Sequence, residues 1–188
     1  MFTTKLIRLI DIIFSIIIII FIFPLFISIS LLNLLFQGNP IFFISKRVGK
    51  NGIIFNIIKF RTYVEINNEK KISNIGKYLR RLSLDEIPQV LNILIGDMSF
   101  VGPRPIPLEI ENIFKNYEIQ IRRSLKPGIT GLSQINYIGE KRTWNEKLLL
   151  DIKMINNFSI NLYFYILFKT PMVLIRRFRY NKSGDTLW

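Results

Sequence analysis

Residues Ile12 to Phe36 form an almost unbroken aliphatic and aromatic run, interrupted only by Ser15, Pro24, Ser28, Ser30 and Asn33. As a straight helix these 25 positions would reach about 37 Å, enough to cross a hydrocarbon core of about 30 Å. The run is too long for a cleavable signal peptide, and no small-x-small site follows it. Two arrangements fit. One is a plain spanning anchor. The other enters the bilayer, bends and returns to the same face. Pro24, at the middle of the run, removes a helical hydrogen bond and favours a bend. Basic residues stand on both flanks, Lys5 and Arg8 before the run and Lys46, Arg47 and Lys50 after it. That leaves little of the asymmetry that orients a spanning helix, and a bent helix would keep both basic ends on one side. Arg8 and Asp11 lie three residues apart on one helical face and are expected to pair.

The chain's 188 residues are one domain's worth. It has no Cys and no His, which excludes a Ser-His-Asp triad, a Cys-His pair, a His-ligated zinc site and any disulfide framework. An enzyme with this composition must draw its acid, base or nucleophile from carboxylates, Lys, Tyr or hydroxyls. The balance of 26 basic against 13 acidic residues gives a net charge of +13, a surface that seeks anions. Combined with the apolar N-terminus, it points to a membrane surface and phosphorylated ligands rather than to nucleic acid.

Beyond Pro40, two runs rich in aromatic and β-branched residues, 41–48 and 53–61, flank Gly49-Lys-Asn-Gly52 and predict a β-hairpin. Residues 62–75 are polar and read as a loop, and Gly76 to Leu82 as a short basic helix or turn. Ser83-Leu-Asp-Glu86 reads as a helix start with Ser83 capping Glu86, continuing through Leu94 and stopping near Gly96. Gly102-Pro-Arg-Pro-Ile-Pro107 must be a rigid loop. Residues 108–124 read as a helix, followed by a turn over Lys126-Pro-Gly-Ile-Thr-Gly131. Ile160 to Phe168 is apolar and aromatic, too short to span, interrupted by Pro171 and followed by Arg176, Arg177 and Arg179. An amphipathic helix lying in the headgroup layer fits this pattern, and a core helix with a solvated basic end is the plainer alternative.

Among the acidic residues only Asp85 and Glu86 are directly adjacent. Neighbouring helical residues point about 100° apart, so they would not share one proton. They could supply a nucleophile or metal ligand and a supporting group, or merely stabilise a helix N-terminus. Lys59, Arg61, Arg80, Arg81, Arg104, Arg122, Arg123 and Lys126 crowd the same central segment, and Arg104 is held between Pro103 and Pro105. Carboxylates ringed by cations suit Mg²⁺-assisted phosphoryl transfer, and a fixed guanidinium suits bidentate phosphate binding.

Ser83-Leu-Asp-Glu-Ile-Pro-Gln89, Gly96-Asp-Met-Ser-Phe-Val-Gly-Pro-Arg-Pro105, Lys126-Pro-Gly-Ile-Thr-Gly-Leu-Ser-Gln-Ile-Asn136 and Lys59-Phe-Arg-Thr62 resemble, in order, the signatures of bacterial sugar transferases. Specifically, they resemble those of the small monotopic phosphoglycosyl transferases. The resemblance implies a mainly α fold with a small β-hairpin, a monotopic membrane protein with an N-terminal re-entrant helix and interfacial amphipathic helices. Residues 1–40 would be the membrane-inserted helix and 41–188 a catalytic domain packed on the cytoplasmic face of the bacterial inner membrane, together one functional unit. It further implies transfer of a sugar 1-phosphate from a UDP-sugar to polyprenyl (undecaprenyl) phosphate, releasing UMP, at the start of surface-glycan assembly. Asp85 then corresponds to the nucleophile and a Mg²⁺ ligand, Glu86 to its catalytic partner, and Lys59, Arg61, Arg80, Arg104 and Lys126 to substrate-binding cations. Membrane lipid, downstream glycosyltransferases or a second copy of the chain would be further partners. The chain departs from the family's usual pattern at Phe23, where Ser is common, at Lys126, where Arg is common, and at Leu132-Ser133. A rival from another class, a non-catalytic basic adaptor tethered to the membrane, would need neither an acidic pair within its basic centre nor a proline-fixed Arg104. A polytopic transferase is excluded by the single long apolar run.

Overall fold

A computed structural model describes residues 2–180 apart from 67, 112, 113, 115 and 137–142. Its first element, α1 (Phe2–Gln37), is one continuous helix, and Pro24 lies within it without ending it. Ile7, Asp11, Ser15, Ile29 and Asn33 are buried, with Ile18, Ile22, Phe26 and Gln37 half-buried between and beyond them. These positions recur at steps of three and four, a single seam along the helix. The opposite face is apolar and exposed, with Phe21 80% and Leu35 77% accessible. The helix is long and apolar enough to cross a membrane.

The seam is bonded to the rest of the chain near both ends. Asp11 Oδ1 accepts from Ser99 Oγ (3.1 Å), the Phe100 amide (3.1 Å) and Tyr163 Oη (2.7 Å). Twenty-two positions later, Asn33 Nδ2 donates to the Arg61 carbonyl at 3.2 Å. In an apolar medium such internal partners are the only ones these groups can find, so the seam fixes how α1 lies on the domain. The expected Arg8–Asp11 ion pair does not form. Arg8 instead donates to the Ile93 and Leu94 carbonyls, at 2.5 and 2.6 Å.

The expected hairpin is present as β1 (Phe42–Val48) and β2 (Ile54–Phe60), registered Phe42 to Phe60 and Val48 to Ile54. Its turn holds Asn51 and Gly52 at φ 57° and 79°, the left-handed region these two residue types tolerate best. The polar stretch read as a loop contains a second hairpin, β3 (Tyr63–Ile66) with β4 (Glu69–Ile72), in which Glu65 faces Lys70 across the strands. Next come α2 (Asn74–Leu82), a 3₁₀ turn over Leu84–Glu86 and α3 (Gln89–Ile95), which stops at Gly96 with φ 101° as expected.

The segment read as a turn after Lys126 is a strand, β6 (Gly128–Thr130), paired in parallel with β5 (Ser99–Val101). A Cβ on Gly128 would lie 2.1 Å from the Gly102 amide nitrogen, so only glycine lets the two backbones approach this closely. In place of one helix over 108–124 there are α4 (Leu108–Glu111) and α5 (Asn116–Arg123), and 112, 113 and 115 fall outside the described residues. Two further helices, α6 (Leu132–Ile135) and α7 (Trp144–Asn156), precede the last. That last helix, α8 (Ile160–Tyr180), runs through Pro171 rather than stopping there. Ile166 and Val173, on either side of the proline, are both buried in the main core, which holds the helix across the missing hydrogen bond. Of the basic cluster after Pro171, the side chains of Arg177 and Arg179 lie outside the described residues. The main core joins Ile7 of α1 to Phe55, Ile57, Ile93, Met98, Met154 and Tyr163, so α1 and the rest of the chain share one apolar interior.

Candidate active site

Asp85 and Glu86 sit on the 3₁₀ turn between α2 and α3. Ser83 does not cap Glu86 through its side chain as the sequence suggested. It adopts φ 57° and ends α2, its amide bonding back to Arg80 and Leu79. Pro88 begins α3 with φ −60°, where its missing N–H costs nothing. The two carboxylates are therefore presented on a tight, half-buried connection between two helices rather than inside one.

Lys59 reaches this turn from β2. Its Nζ donates to Glu86 Oε1 at 2.6 Å, with the two side chains 21% and 22% exposed. The strand and the turn are held in register by a residue that composition and motif had not marked. Asn92, buried in α3, donates to the Asn56 carbonyl (2.8 Å) and accepts from the Ile58 amide (3.1 Å), acting as one rung of a ladder against β2. The detectable signal was an amide inside the apolar sequence Val90-Leu-Asn-Ile93.

Arg80 Nε donates to Thr62 Oγ1 at 2.7 Å. Close contact between α2 and Thr62 depends on Gly76, where a Cβ would fall 2.0 Å from the Thr62 carbonyl oxygen. The motif Lys59-Phe-Arg-Thr62 thus divides four ways. Lys59 meets the dyad, Phe60 enters the core and Thr62 positions Arg80. Arg61 turns away from the site, donating to the carbonyls of Gln37, Gly38 (2.6 Å) and Asn39 (3.1 Å), where it caps the end of α1.

Arg104 is aimed by the loop after β5. Its amide donates to Asp151 Oδ2 at 3.1 Å, and the Arg122 Nε lies 3.4 Å from the same oxygen. Burial lowers the basicity of the Arg104 guanidinium, while Glu86 and Asp151 pull the other way. Burial likewise raises the Asp151 carboxyl above its ordinary range, opposed chiefly by Arg122. Asp151, fully buried in α7, is a second positioning residue that the sequence did not single out. Glu86 and Arg104 line a cavity of about 310 Å³. Ile18 and Ile22 of α1, Val90 of α3, and Leu167, Val173 and Leu174 of α8 form much of its apolar wall.

Lys126 lies elsewhere. It lines a separate cavity with Lys5, Arg8 and Lys50, at the far end of α3. Of the five cations inferred for substrate binding, Lys59 and Arg104 stand at the Asp85–Glu86 turn, Arg80 is on the helix leading into it and bonds Thr62, and Arg61 and Lys126 have other surroundings.

The sequence profile of the family described as "Bacterial sugar transferase" matches residues 2–177, nearly the whole chain. The chain belongs to the bacterial sugar transferase family. It is 37% identical over 131 residues to an uncharacterized sugar transferase, EpsL, of Bacillus subtilis, covering 65% of this chain and 63% of that one. It is 32% identical over 183 residues to the exopolysaccharide production protein ExoY of Rhizobium meliloti, covering 84% and 80%. To the UDP-glucose:undecaprenyl-phosphate glucose-1-phosphate transferase of Klebsiella pneumoniae it is 35% identical over 181 residues, 87% of this chain but 38% of that longer protein. The chain thus spans from 32% to 86% of the length of the relatives it matches. The motif surrounding Asp85, the loop carrying Arg104 and the strand carrying Lys59 all lie within the matched region.

Proposed function

We propose that this chain transfers a sugar 1-phosphate from a UDP-sugar to polyprenyl (undecaprenyl) phosphate, releasing UMP and initiating assembly of a surface glycan. The observation that carries this reading is the meeting of two environments at one turn. Lys59 bonds Glu86, the charge of Arg104 acts on Glu86, and Arg80 lies in the helix that ends at this turn. Glu86 and Arg104 also line the largely apolar cavity between α1, α3 and α8. A nucleotide's pyrophosphate suits the first environment, and the first isoprene units of a lipid acceptor suit the second.

In the scheme proposed, an Asp85 carboxylate oxygen attacks the sugar-bearing phosphorus of the UDP-sugar. The bond from that phosphorus to the bridging oxygen breaks, and UMP leaves with the electron pair. An acyl phosphate then links Asp85 to the sugar. An oxygen of polyprenyl phosphate attacks the same phosphorus and expels the Asp85 carboxylate. Lys59 orients Glu86, and Arg104 offsets negative charge developing on the transferred group. Mg²⁺ takes few protein ligands, commonly one or two carboxylates, and fills its remaining positions with water and substrate phosphates. Asp85 and Glu86, adjacent on one half-buried turn, offer a carboxylate donor of that kind. Asp85 is the residue proposed to hold the ion, which would neutralise phosphate charge when bound.

We further infer a re-entrant α1 on the cytoplasmic face of the inner membrane. Asp11 and Asn33, about 33 Å apart along a straight helix, both bond to the same domain, which a helix crossing away from that domain could not arrange. The exposed apolar side chains of α8, among them Phe168 and Met172, support an interfacial position for that helix.

The deciding experiment incubates the protein with UDP-sugar and Mg²⁺ but no lipid acceptor. The reading expects UMP in amounts stoichiometric with enzyme and a sugar-phosphate adduct on the peptide containing Asp85, both lost in Asp85→Asn. Release of UMP only when polyprenyl phosphate is present, with no adduct, would replace the covalent scheme by direct attack of the lipid.

A further inference from the structure

A second concentration of positive charge lies at the opposite end of α3 from the dyad. Lys5 and Arg8 from the first turns of α1, Lys50 from the β1–β2 turn and Lys126 from the segment before β6 line a cavity of about 350 Å³. It has no lining residue in common with the cavity at Glu86 and Arg104. Seven residues of α3 separate the two, a length of about 10 Å.

The cations converge rather than merely sharing a surface. A Cβ built on Gly96 would sit 3.2 Å from Lys126 Nζ and 3.3 Å from Arg8 Nη2, so the ammonium and the guanidinium flank one point. Arg8 is partly committed, donating to the Ile93 and Leu94 carbonyls. Among the described residues, Lys5, Lys50 and Lys126 have no side-chain hydrogen bond or ion pair within the chain. Asp11 also lines this recess, but its Oδ1 is engaged, accepting from Ser99, Phe100 and Tyr163, and Asp97 accepts from Asn92 at 3.4 Å. Burial, with the charges of Arg8 and Lys50, makes Lys126 less basic than an ordinary lysine. Like charges gathered in a half-buried recess repel one another, and the arrangement is relieved by an anion placed among them.

The walls say what carries that anion. Ile7, Val101, Leu125 and Phe158 line the same recess, and the apolar run of α1 begins at Ile12, about one turn beyond Arg8. A phosphate with an apolar body alongside meets both requirements. We propose that this cavity binds the phosphate of an anionic membrane phospholipid, clamping the start of α1 to the headgroup layer. The proposal rests on α1 lying in the membrane and is independent of the transfer reaction. A soluble phosphate is the other source of the same chemistry, and the test separates the two.

The full-length protein in neutral detergent is titrated with fluorescent phosphatidylglycerol, then with phosphatidylcholine, and finally with inorganic phosphate as competitor. Saturable binding of phosphatidylglycerol at one site is expected, at least about tenfold tighter than phosphatidylcholine. Lys5→Gln/Lys50→Gln should weaken it by a similar factor while melting at the wild-type temperature, and Lys50→Arg should retain it. Equal binding by the double variant and the wild type would overturn the site. Displacement of the lipid by inorganic phosphate at comparable concentration would overturn the lipid and assign the recess to a soluble anion. Because the titration needs no turnover, its failure leaves the proposed transfer standing, and an inactive enzyme that binds phosphatidylglycerol leaves this site standing.

Discussion

Lys59 Nζ lies 2.6 Å from Glu86 Oε1, joining the end of the β1–β2 hairpin to the turn that presents Asp85. The pair is only partly shielded, so its contribution to folding is about 1 kcal/mol or less. Its larger effect is to hold a carboxylate and a cation beside Asp85. Lys59→Met and Glu86→Gln should each lower turnover by about tenfold or more, with melting temperatures within about 4 °C of wild type. Steady-state UMP release and thermal melts check this. Activity losses accompanied by much larger falls in melting temperature would make the pair a fold contact.

Arg61 and Arg104 should separate in the opposite senses. Arg61 satisfies carbonyls at the end of α1, so Arg61→Met should destabilise the chain by about 1–3 kcal/mol, leaving those carbonyls short of partners. Arg104→Ala should lower turnover by about tenfold or more, equivalent to about 1.5–3 kcal/mol, without releasing the protein from the membrane. Melting curves and kcat for both variants decide the matter. Normal kinetics in Arg104→Ala would reduce Arg104 to a loop contact.

The seam of α1 predicts its topology. Cysteines replacing Thr3 and Gly38 should both react with an impermeant thiol reagent from the cytoplasmic side only. Pro24→Ala should shift part of the population toward a spanning form, in which one of the two becomes reactive from outside. Labelling of Thr3→Cys from the periplasm in the unmodified background would establish a spanning helix.

Asp151 gives a pH prediction. Burial holds its carboxyl above its ordinary value of 3.8, so the folded chain keeps this proton when the unfolded chain has released it. Stability attributable to Asp151 is therefore highest below about pH 3.8 and declines as pH rises through the folded value, with the loss complete above it. Asp151→Asn should be less stable at every pH, because the bond from the Arg104 amide and the pairing with Arg122 both suffer. The difference between wild type and variant should nevertheless narrow as pH rises from 4 toward neutrality. Denaturant titrations across that range test it, and a difference that widens would contradict the assignment.

Much of the fold was legible where short-range rules govern. Asn51-Gly52 set the hairpin register, Gly96 stopped α3, and the apolar run from Ile12 to Phe36 announced a helix long enough to cross a membrane. Local polarity misled at β3–β4, since β4 is the charged run Glu69-Lys-Lys-Ile72 and the four residues of β3 are too few to show an alternation. It misled again at Pro171, because the packing of Ile166 and Val173 against residues far away in sequence outweighs one lost hydrogen bond.

At the site, the adjacency of Asp85 and Glu86 and the fixation of Arg104 between prolines are properties of the sequence alone, written in consecutive residues. Which cations face the dyad is not. Lys59 and Arg61 are two residues apart, yet one bonds Glu86 and the other the end of α1, because strand β2 ends at Phe60 and the chain changes course there. Arg8 and Asp11, placed by helical spacing to pair, instead find carbonyls of α3 and donors near β5 and on α8. Lys126 is drawn to the far end of α3 because β6 pairs with β5 about thirty residues earlier. Charge type and local turn were fixed by neighbours along the chain. The partner of each charge was decided by which segments the apolar core brought together, since a buried polar group is stable only beside a donor or acceptor and takes the one that packing delivers.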